Sequence, residues 1–369
     1  MRITIVNEKR KIMIFELANS QRKFFGLNEM KKFWIRKELS ENYIIYIEEN
    51  KLVKRILSTK ECYYESDVSY SLSENHKFIL PKTKKGKQIE LTESTIKNLK
   101  KGVYLFWWNN KVILASGTCE QSYYESDIAG LNIATLDDFK DWIKNWIKNT
   151  TNEELKEIKD FKNRKLKRYQ YQEGDYFRLK LDKNLYGYGR IIMDIDKQKK
   201  ERIDYWDILM KNSIIIELFH IITERKNVPI IELEKLKTFP SQIILNHAVL
   251  YGEYEIIGHK NLPQNINYPI HYGRGITSED KYIIHFQCGN IHKKIPLENA
   301  NLITNKNDDF KNNHLGYTID NNINIMKECI KNNSNEFYWK QEIYTIKEDL
   351  RNPKNSKKLL AVLEQFDLL

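Results

Sequence analysis

Glu173-Gly-Asp-Tyr-Phe-Arg-Leu-Lys-Leu-Asp-Lys-Asn-Leu-Tyr-Gly-Tyr-Gly-Arg190, running on into Ile191, Ile192 and Met193, is the stretch on which the reading of the fold turns. From Gly174-Asp175 onward the residues alternate, with Phe177, Leu179 and Leu181 facing one way and Tyr176, Arg178 and Lys180 the other. Asp182-Lys183-Asn184 supplies turn chemistry and Leu185 to Met193 returns, which predicts a β-hairpin. Gly187 and Gly189 fall on one face of the return strand, because side chains alternate with period two. Lacking Cβ atoms, they leave a flat strip of backbone between Tyr186 and Tyr188. Such a strip suits a bulge or a barrel corner, and equally a surface that another molecule approaches closely.

Downstream, Ser213 to Ile222 is an almost continuous β-branched run, the pattern of a strand covered on both faces. Pro229 suits the first turn of a short helix over Ile230 to Leu236. Gln242 to Tyr251 reads as a further strand, broken by Gly252 and resumed at Tyr254-Glu-Ile-Ile257. Lys281 to Cys288 and the segment to Pro296 complete a β-rich unit, and Glu201 to Met210 reads as a short helix. After residue 305 the chain turns asparagine-rich and then helical. Ile323, Met326 and Ile330 share one face, as do Trp339, Ile343, Ile346 and Leu350, and Ser356 precedes a last amphipathic segment. These helices either cover the sheet or form an appendage for a partner.

Upstream, residues 2–6 and 11–17 read as strands, with Ile3, Ile5, Ile12, Ile14 and Phe15 as their apolar positions. Gln21 to Arg36 is poorly periodic. Tyr43 to Ile47 and Leu52 to Leu57 make a hairpin, and so do Val103 to Trp108 and Lys111 to Ala115, joined by Asn109-Asn110. Thr92 opens a helix expected to end near Gly102. Thr135 caps a helix whose Phe139, Trp142, Ile143, Trp146 and Ile147 form one apolar face. Thr151 with Glu154 has capping-box spacing and starts another helix. Its basic end, Lys162-Asn-Arg-Lys-Leu-Lys-Arg168, reads as a connector with a solvated face.

The expected fold class is therefore α+β. A small α+β domain over residues 1–150 is followed by a basic helical connector at 151–170. A β-rich domain at 171–305, either a barrel or a twisted antiparallel sheet, leads to a helical tail at 306–369.

Hydrophobic content of 41% with 30% charged residues indicates a globular rather than a disordered chain. The net charge of +11 is spread out, with acidic residues interleaved and local concentrations at Lys82-Thr-Lys-Lys-Gly-Lys87 and Lys159 to Arg168. Such an excess permits weak attraction to nucleic acid or to an acidic partner. The four cysteines, at 62, 119, 288 and 329, form no CxxC pair and read as reduced thiols, pointing to the cytoplasm. No apolar run reaches membrane-spanning length.

Catalytic signatures such as GxSxG, HExxH, GxxxxGK[ST] and GxGxxG do not occur, and no cofactor is expected. His285, Cys288 and His292 lie close together, but His285 and Cys288 would point to opposite faces of a strand, so no metal site is expected. His220 reads as a hydrogen-bonded core residue, and Glu232-Leu-Glu234-Lys235 lacks the remainder of a nuclease cluster. Tyr63-Tyr-Glu-Ser-Asp67 recurs as Tyr123-Tyr-Glu-Ser-Asp127. Each copy puts two carboxylates on one face of an extended chain, the arrangement that metal or acid–base work requires. No histidine or third carboxylate accompanies either copy, and five residues do not establish a repeat of domains. A polar strand end or a partner-contacting loop is the expectation. Aromatics next to cations, as at Tyr186, Tyr188 and Arg190, could also stack on unpaired bases, although no RNP-like motif accompanies them.

The order Gly174-Asp175-Tyr-Phe, Tyr186-Gly187-Tyr188-Gly189-Arg190-Ile191, a long apolar strand and then Gly252-Glu-Tyr-Glu-Ile-Ile-Gly-His259 resembles the immunity protein 26 family of bacterial polymorphic toxin systems, over roughly residues 170–300. The resemblance implies a cytosolic, non-enzymatic protein that binds the effector domain of a cognate toxin and blocks it. It implies no shared catalytic residues. Asp175, Tyr186, Tyr188 and Arg190 are then toxin-contact candidates, exposed Tyr and Arg being enriched at binding hot spots. Gly174, Gly187, Gly189 and Gly252 are structural. Inhibitors of nucleases often present acidic surfaces whereas this chain is basic, so either the toxin has another activity or a local acidic patch, Asp204/Asp207 or the repeated motif, makes the contact. A basic nucleic-acid-binding protein is the alternative.

Overall fold

A computed structural model describes residues 15–99, 101–201, 212–274, 282–300, 323–334, 336–339 and 349–369. The strand expected at 2–6, most of that at 11–17, all but the first residue of the helix expected from Glu201 to Met210, with its Asp204 and Asp207, and the positions Ile343 and Ile346 lie outside these residues. The chain forms two compact units, residues 1–167 and 168–369, and the α+β expectation holds in both.

In the first unit an antiparallel sheet has seven strands, β1 (Ile35–Ser40), β2 (Tyr43–Glu48), β3 (Lys51–Ser58), β4 (Cys62–Ser71), β7 (Val103–Trp108), β8 (Lys111–Ser116) and β9 (Gln121–Glu125), ordered β1-β2-β3-β4-β7-β8-β9. Strands β5 (Lys77–Lys82) and β6 (Gln88–Glu90) form a separate hairpin between β4 and β7. Asn109 and Asn110 both take positive φ at the β7–β8 turn, as that tight turn demands. The helices Leu136–Lys148 and Asn152–Lys162 start at Thr135 and Thr151, each with a capping box. Phe139, Trp142, Ile143 and Trp146 pack beside Leu105, Trp107 and Leu114, and the Trp107 and Phe139 rings stack 5.3 Å apart. The second helix adds Ile158 and Phe161 to this same core, so the segment read as a connector is anchored in the first unit up to Lys162. The helix expected to reach Gly102 stops at Lys97. Gly102 instead donates its backbone N–H to the Asp67 carbonyl, and a Cβ there would lie 2.8 Å from that oxygen.

The repeated motif occupies equivalent positions in two three-stranded meanders. In β2-β3-β4, Ile56 lies opposite Glu65 and Leu57 opposite Tyr64. In β7-β8-β9, Ile113 lies opposite Glu125 and Leu114 opposite Tyr124. Upstream of each copy stands Lys-x-Ile-Leu, at Lys54 to Leu57 and at Lys111 to Leu114. The similarity therefore extends beyond the five residues that sequence alone brings out.

In the second unit, β10 (Asp175–Asp182) and β11 (Leu185–Asp194) form the expected hairpin, with Tyr176 opposite Arg190, Arg178 opposite Tyr188 and Phe177 opposite Gly189. With β12 (Ser213–Thr223), β13 (Gln242–Leu245) and β14 (Glu255–His259) they make an open antiparallel sheet ordered β13-β12-β11-β10-β14, not a barrel. The strand expected over Gln242 to Tyr251 ends at Leu245, and His247–Leu250 is a short helix. A smaller sheet joins β15 (Ile270–Arg274), β16 (Ile283–Cys288) and β17 (Ile291–Pro296). Val362 and Phe366, from the end of the chain, pack on its Tyr272, Ile284 and Phe286. Arg351, whose side chain is only 5% exposed, fastens this tail by pairing with Asp349 at 2.6 Å and donating to the Ser241 carbonyl at 3.0 Å. Of the two roles open to the tail helices, covering a sheet is the one seen at Ser356–Gln365.

Candidate protein-binding surface

Paired positions across the β10–β11 hairpin put Tyr176, Arg178, Lys180, Tyr186, Tyr188 and Arg190 on one face and Phe177, Leu179, Gly187 and Gly189 on the other. The strip left by the glycines is filled from within. A Cβ on Gly189 would lie 2.4 Å from Phe177 Cζ and 2.6 Å from the Glu217 carbonyl, while one on Gly187 would meet the Leu179 and Leu181 methyls at 3.1 and 3.2 Å. The register between β11 and β12 also shifts between Gly187 and Gly189, where the ladder is bulged.

The opposite face is covered as well. Tyr186 and Tyr188 are buried in a cluster with Tyr176, Phe219, Val228 and Leu233. The Tyr188 hydroxyl donates to the Arg225 carbonyl at 2.6 Å, and burial pushes its phenol pKa up. Arg190 is nearly buried and binds Glu217 through Nε at 2.8 Å and Nη2 at 2.6 Å. Burial works against the Arg190 charge, but Glu217 more than offsets it and the guanidinium pKa is raised. Arg178 donates to the Lys226 carbonyl and to Asn227 Oδ1, pairs with Glu255 at 2.5 Å and sits over the Tyr186 ring. Asp175 is buried too, accepting from the Gln172 backbone N–H at 2.8 Å and lying 2.9 Å from His259 Nδ1. Gly174, at φ +90°, leaves no room for a side chain, since a Cβ would lie 2.3 Å from the Lys260 carbonyl. Gly252 lies against the Tyr169 ring.

The expected exposure of Tyr186, Tyr188 and Arg190 is therefore corrected. Alternation assigns them to one side of the sheet but does not say what covers that side. The cover is the Arg225 to Leu236 segment, which sequence reading did not connect with the hairpin. What this cover presents outward is a surface of a different composition. Ile231, on the Ile230–Leu233 helix, is 65% exposed. Around it lie the exposed pairs Arg225–Glu232 at 2.8 Å and Lys260–Glu234. Ile230 packs over Gly258 of β14, where a Cβ would come within 2.7 Å of its Cδ1. Among the described residues β14 pairs with β10 alone, so its outer edge is open, with Glu255 and His259 exposed. An apolar centre, a charged rim and a free strand edge are the elements of a protein-binding face.

The acidic motif offers no comparable patch in its first copy, because Glu65 is fully buried and Asp67 nearly so. No group of three or more metal-ligating side chains occurs among the described residues, and His285 lies 3.1 Å from His292 Nε2. No helix among them is long and apolar enough to cross a membrane.

The unit is thus an open antiparallel sheet with Arg190 and Glu217 paired inside it and a mixed apolar and ionic face at its β14 edge. Residues 172–282 match the sequence model of the family Immunity protein 26, a stretch that runs from the approach to β10 through β15. No curated protein and no solved structure matches the chain.

Proposed function

We propose that this protein neutralises a cognate bacterial toxin by stoichiometric binding, using the β14 edge and the Ile230–Leu233 helix as its contact face. The observation that carries the reading is the match to an immunity-protein family over the unit that displays this face. In this reading Asp175, Tyr186, Tyr188 and Arg190 hold the face in place, and Ile231, Glu255 and His259 meet the partner. A strand edge contributes backbone hydrogen bonds and its flanking side chains contribute selectivity.

Co-expression with the product of the neighbouring gene tests this. Rescue of growth together with a co-purifying complex is the expected result, and failure of rescue with every neighbouring product overturns it. Ile231→Asp changes an exposed side chain, so the fold should survive and rescue should be lost. Retained rescue would place the contact face elsewhere.

The runner-up is nucleic-acid binding, favoured by the exposed lysines 82, 84, 85 and 87 and the exposed run from Arg164 to Arg168. Binding of that kind must weaken steeply as salt rises, which a titration with duplex and single-stranded probes would show.

A further inference from the structure

The positive charge of the chain is not shared equally between its two units. The first, Met1–Lys167, has 32 Lys and Arg against 23 Asp and Glu, whereas the second, Arg168–Leu369, has 29 against 27. Most of the net charge of +11 therefore belongs to the unit that the toxin-binding reading leaves unused. Such an asymmetry favours a polyanionic partner for the basic part.

The same unit exposes an aromatic strip. Cross-strand partners lie on one side of a sheet, so the rows Tyr43–Leu57–Tyr64–Phe106–Ile113 and Ile45–Arg55–Ser66–Tyr104–Ala115 share one face of the seven-stranded sheet. Over β2–β4 that face is covered, with Tyr43 and Ile45 packing beside Phe78 of β5 and Ile96. Over β7 and β8 it is open. Trp108 is 54% exposed and Tyr104, Phe106 and Ile113 are half-buried, while Leu105 and Trp107, which alternate with them, are buried on the helix side. Tyr104, Phe106 and Trp108 thus stand at every second position of one strand, about 7 Å apart. At the Tyr104 end, Lys101 Nζ lies over the rings of Tyr104 and Tyr64, 4.8 and 5.3 Å from their centres. The β5–β6 hairpin, seated on the covered half, carries exposed Lys82, Lys84, Lys85 and Lys87. At the Trp108 end, Lys111 is held by Glu125 at 2.5 Å and Asp127 at 3.0 Å, so the cationic side of the strip is that of Lys101.

We propose that this face binds single-stranded nucleic acid, with bases stacked on Trp108, Phe106 and Tyr104 and phosphates passing Lys101 and the lysines of the β5–β6 hairpin. Aromatic side chains at alternate positions of an open sheet can stack unpaired bases with little regard to sequence, since every base has a π-face. A peptide would instead seek a groove or an open strand edge. Strands β7 and β8 lie inside the sheet with a neighbour on either side, so they offer a flat face and no edge. Bases paired and stacked in a duplex keep their faces hidden, so the strip selects single strands. The site is independent of the toxin-binding reading and does not use the exposed run from Arg164 to Arg168.

The test is fluorescence anisotropy of end-labelled oligonucleotides of about 12 nucleotides, single-stranded and duplex, titrated with the full chain over a salt series. Saturable binding that favours the single strand and weakens with salt is the expected result. Trp108→Ala, at an exposed position, should weaken it by about fivefold to a hundredfold, the range for loss of one stacked base. Trp108→Phe should keep most of the affinity. Lys101→Met should lower the slope of log K against log salt by about 0.7, the share of one phosphate contact. Absence of saturable binding by the unaltered protein at low salt, or tighter binding of the duplex, would overturn the proposal. So would single-strand binding that Trp108→Ala leaves unchanged, because the basic runs alone would then carry it. A self-association seen by sedimentation and lost in Trp108→Ala, with no oligonucleotide bound, would make the strip a protein interface and equally overturn it. None of these readouts involves a toxin, so they stand or fall apart from the neutralisation reading.

Discussion

At Gly189 a methyl group has no place to go. One neighbour is the Phe177 ring, but the other is the Glu217 carbonyl at 2.6 Å, and a backbone carbonyl in a paired strand cannot swing aside. Gly189→Ala should therefore cost about 1–3 kcal/mol, the usual range for overpacking a core. Gly187→Ala meets only the ends of two leucine side chains, at 3.1 and 3.2 Å. Relief of those contacts is cheap, and alanine also lowers the entropy of the unfolded chain, so the change should be within about 1 kcal/mol of neutral. Urea unfolding of the two variants side by side checks this. Equal destabilisation would contradict the distinction between a backbone and a side-chain obstacle. The same residues show what a local pattern conveys. Period two puts Gly187 and Gly189 on one face of their strand, and the register of the hairpin makes it the face of Phe177 and Leu179. It is silent on whether Tyr186 and Tyr188 opposite them face water, because that depends on Val228 and Leu233, which reach the hairpin only in the folded unit.

The two meanders set the same lysine–carboxylate clip in different surroundings. In the first, Lys54 and Glu65 are both fully buried and Arg22 adds a bond to Glu65 at 2.7 Å. Burial alone would raise the Glu65 pKa, but the charges of Lys54 and Arg22 overcome it and hold the carboxyl below its ordinary 4.5. A carboxylate with a depressed folded pKa contributes stability that is complete above the unfolded value and disappears as pH falls through the folded one. The unaltered first unit should thus lose stability in acid below the ordinary carboxylate range, and Glu65→Gln should remove that part of the pH dependence. At neutral pH Glu65→Gln should cost about 3–5 kcal/mol, since it leaves buried cations short of a partner. Glu125→Gln, in the half-exposed second clip, should cost about 1 kcal/mol or less. Denaturant unfolding at neutral and acidic pH measures both, and an equal cost would show that the burial of the first clip is without energetic consequence. The clips also mark a limit of sequence reading. Helix caps at Thr135 and Thr151 and the Asn109-Asn110 turn were legible because their determinants lie within a few residues. The partnership of Lys54 with Glu65 and Asp67 depends on strand register, and the signal that could have revealed it was the Lys-x-Ile-Leu shared by both copies upstream of the motif.

On the scale of the whole chain, each compact unit has cores of its own. Phe139, Trp107 and Phe161 lie in a core of the first, and Tyr188, Phe219 and Leu233 in one of the second. Chains with separate cores need not unfold in a single step, and a single unfolding free energy is then not a defined quantity. Calorimetry should resolve two transitions, with Glu65→Gln lowering one and Gly189→Ala lowering the other. Because about 1 kcal/mol moves the midpoint of a domain of 150–250 residues by roughly 2–4 °C, the predicted costs are large enough to assign each transition to its unit. A single transition displaced by both variants would mean that the two units unfold as one. Two independent transitions would instead mean that Glu65→Gln leaves the second unit, with its proposed contact face, at full stability, and that Gly189→Ala leaves the first unit unchanged.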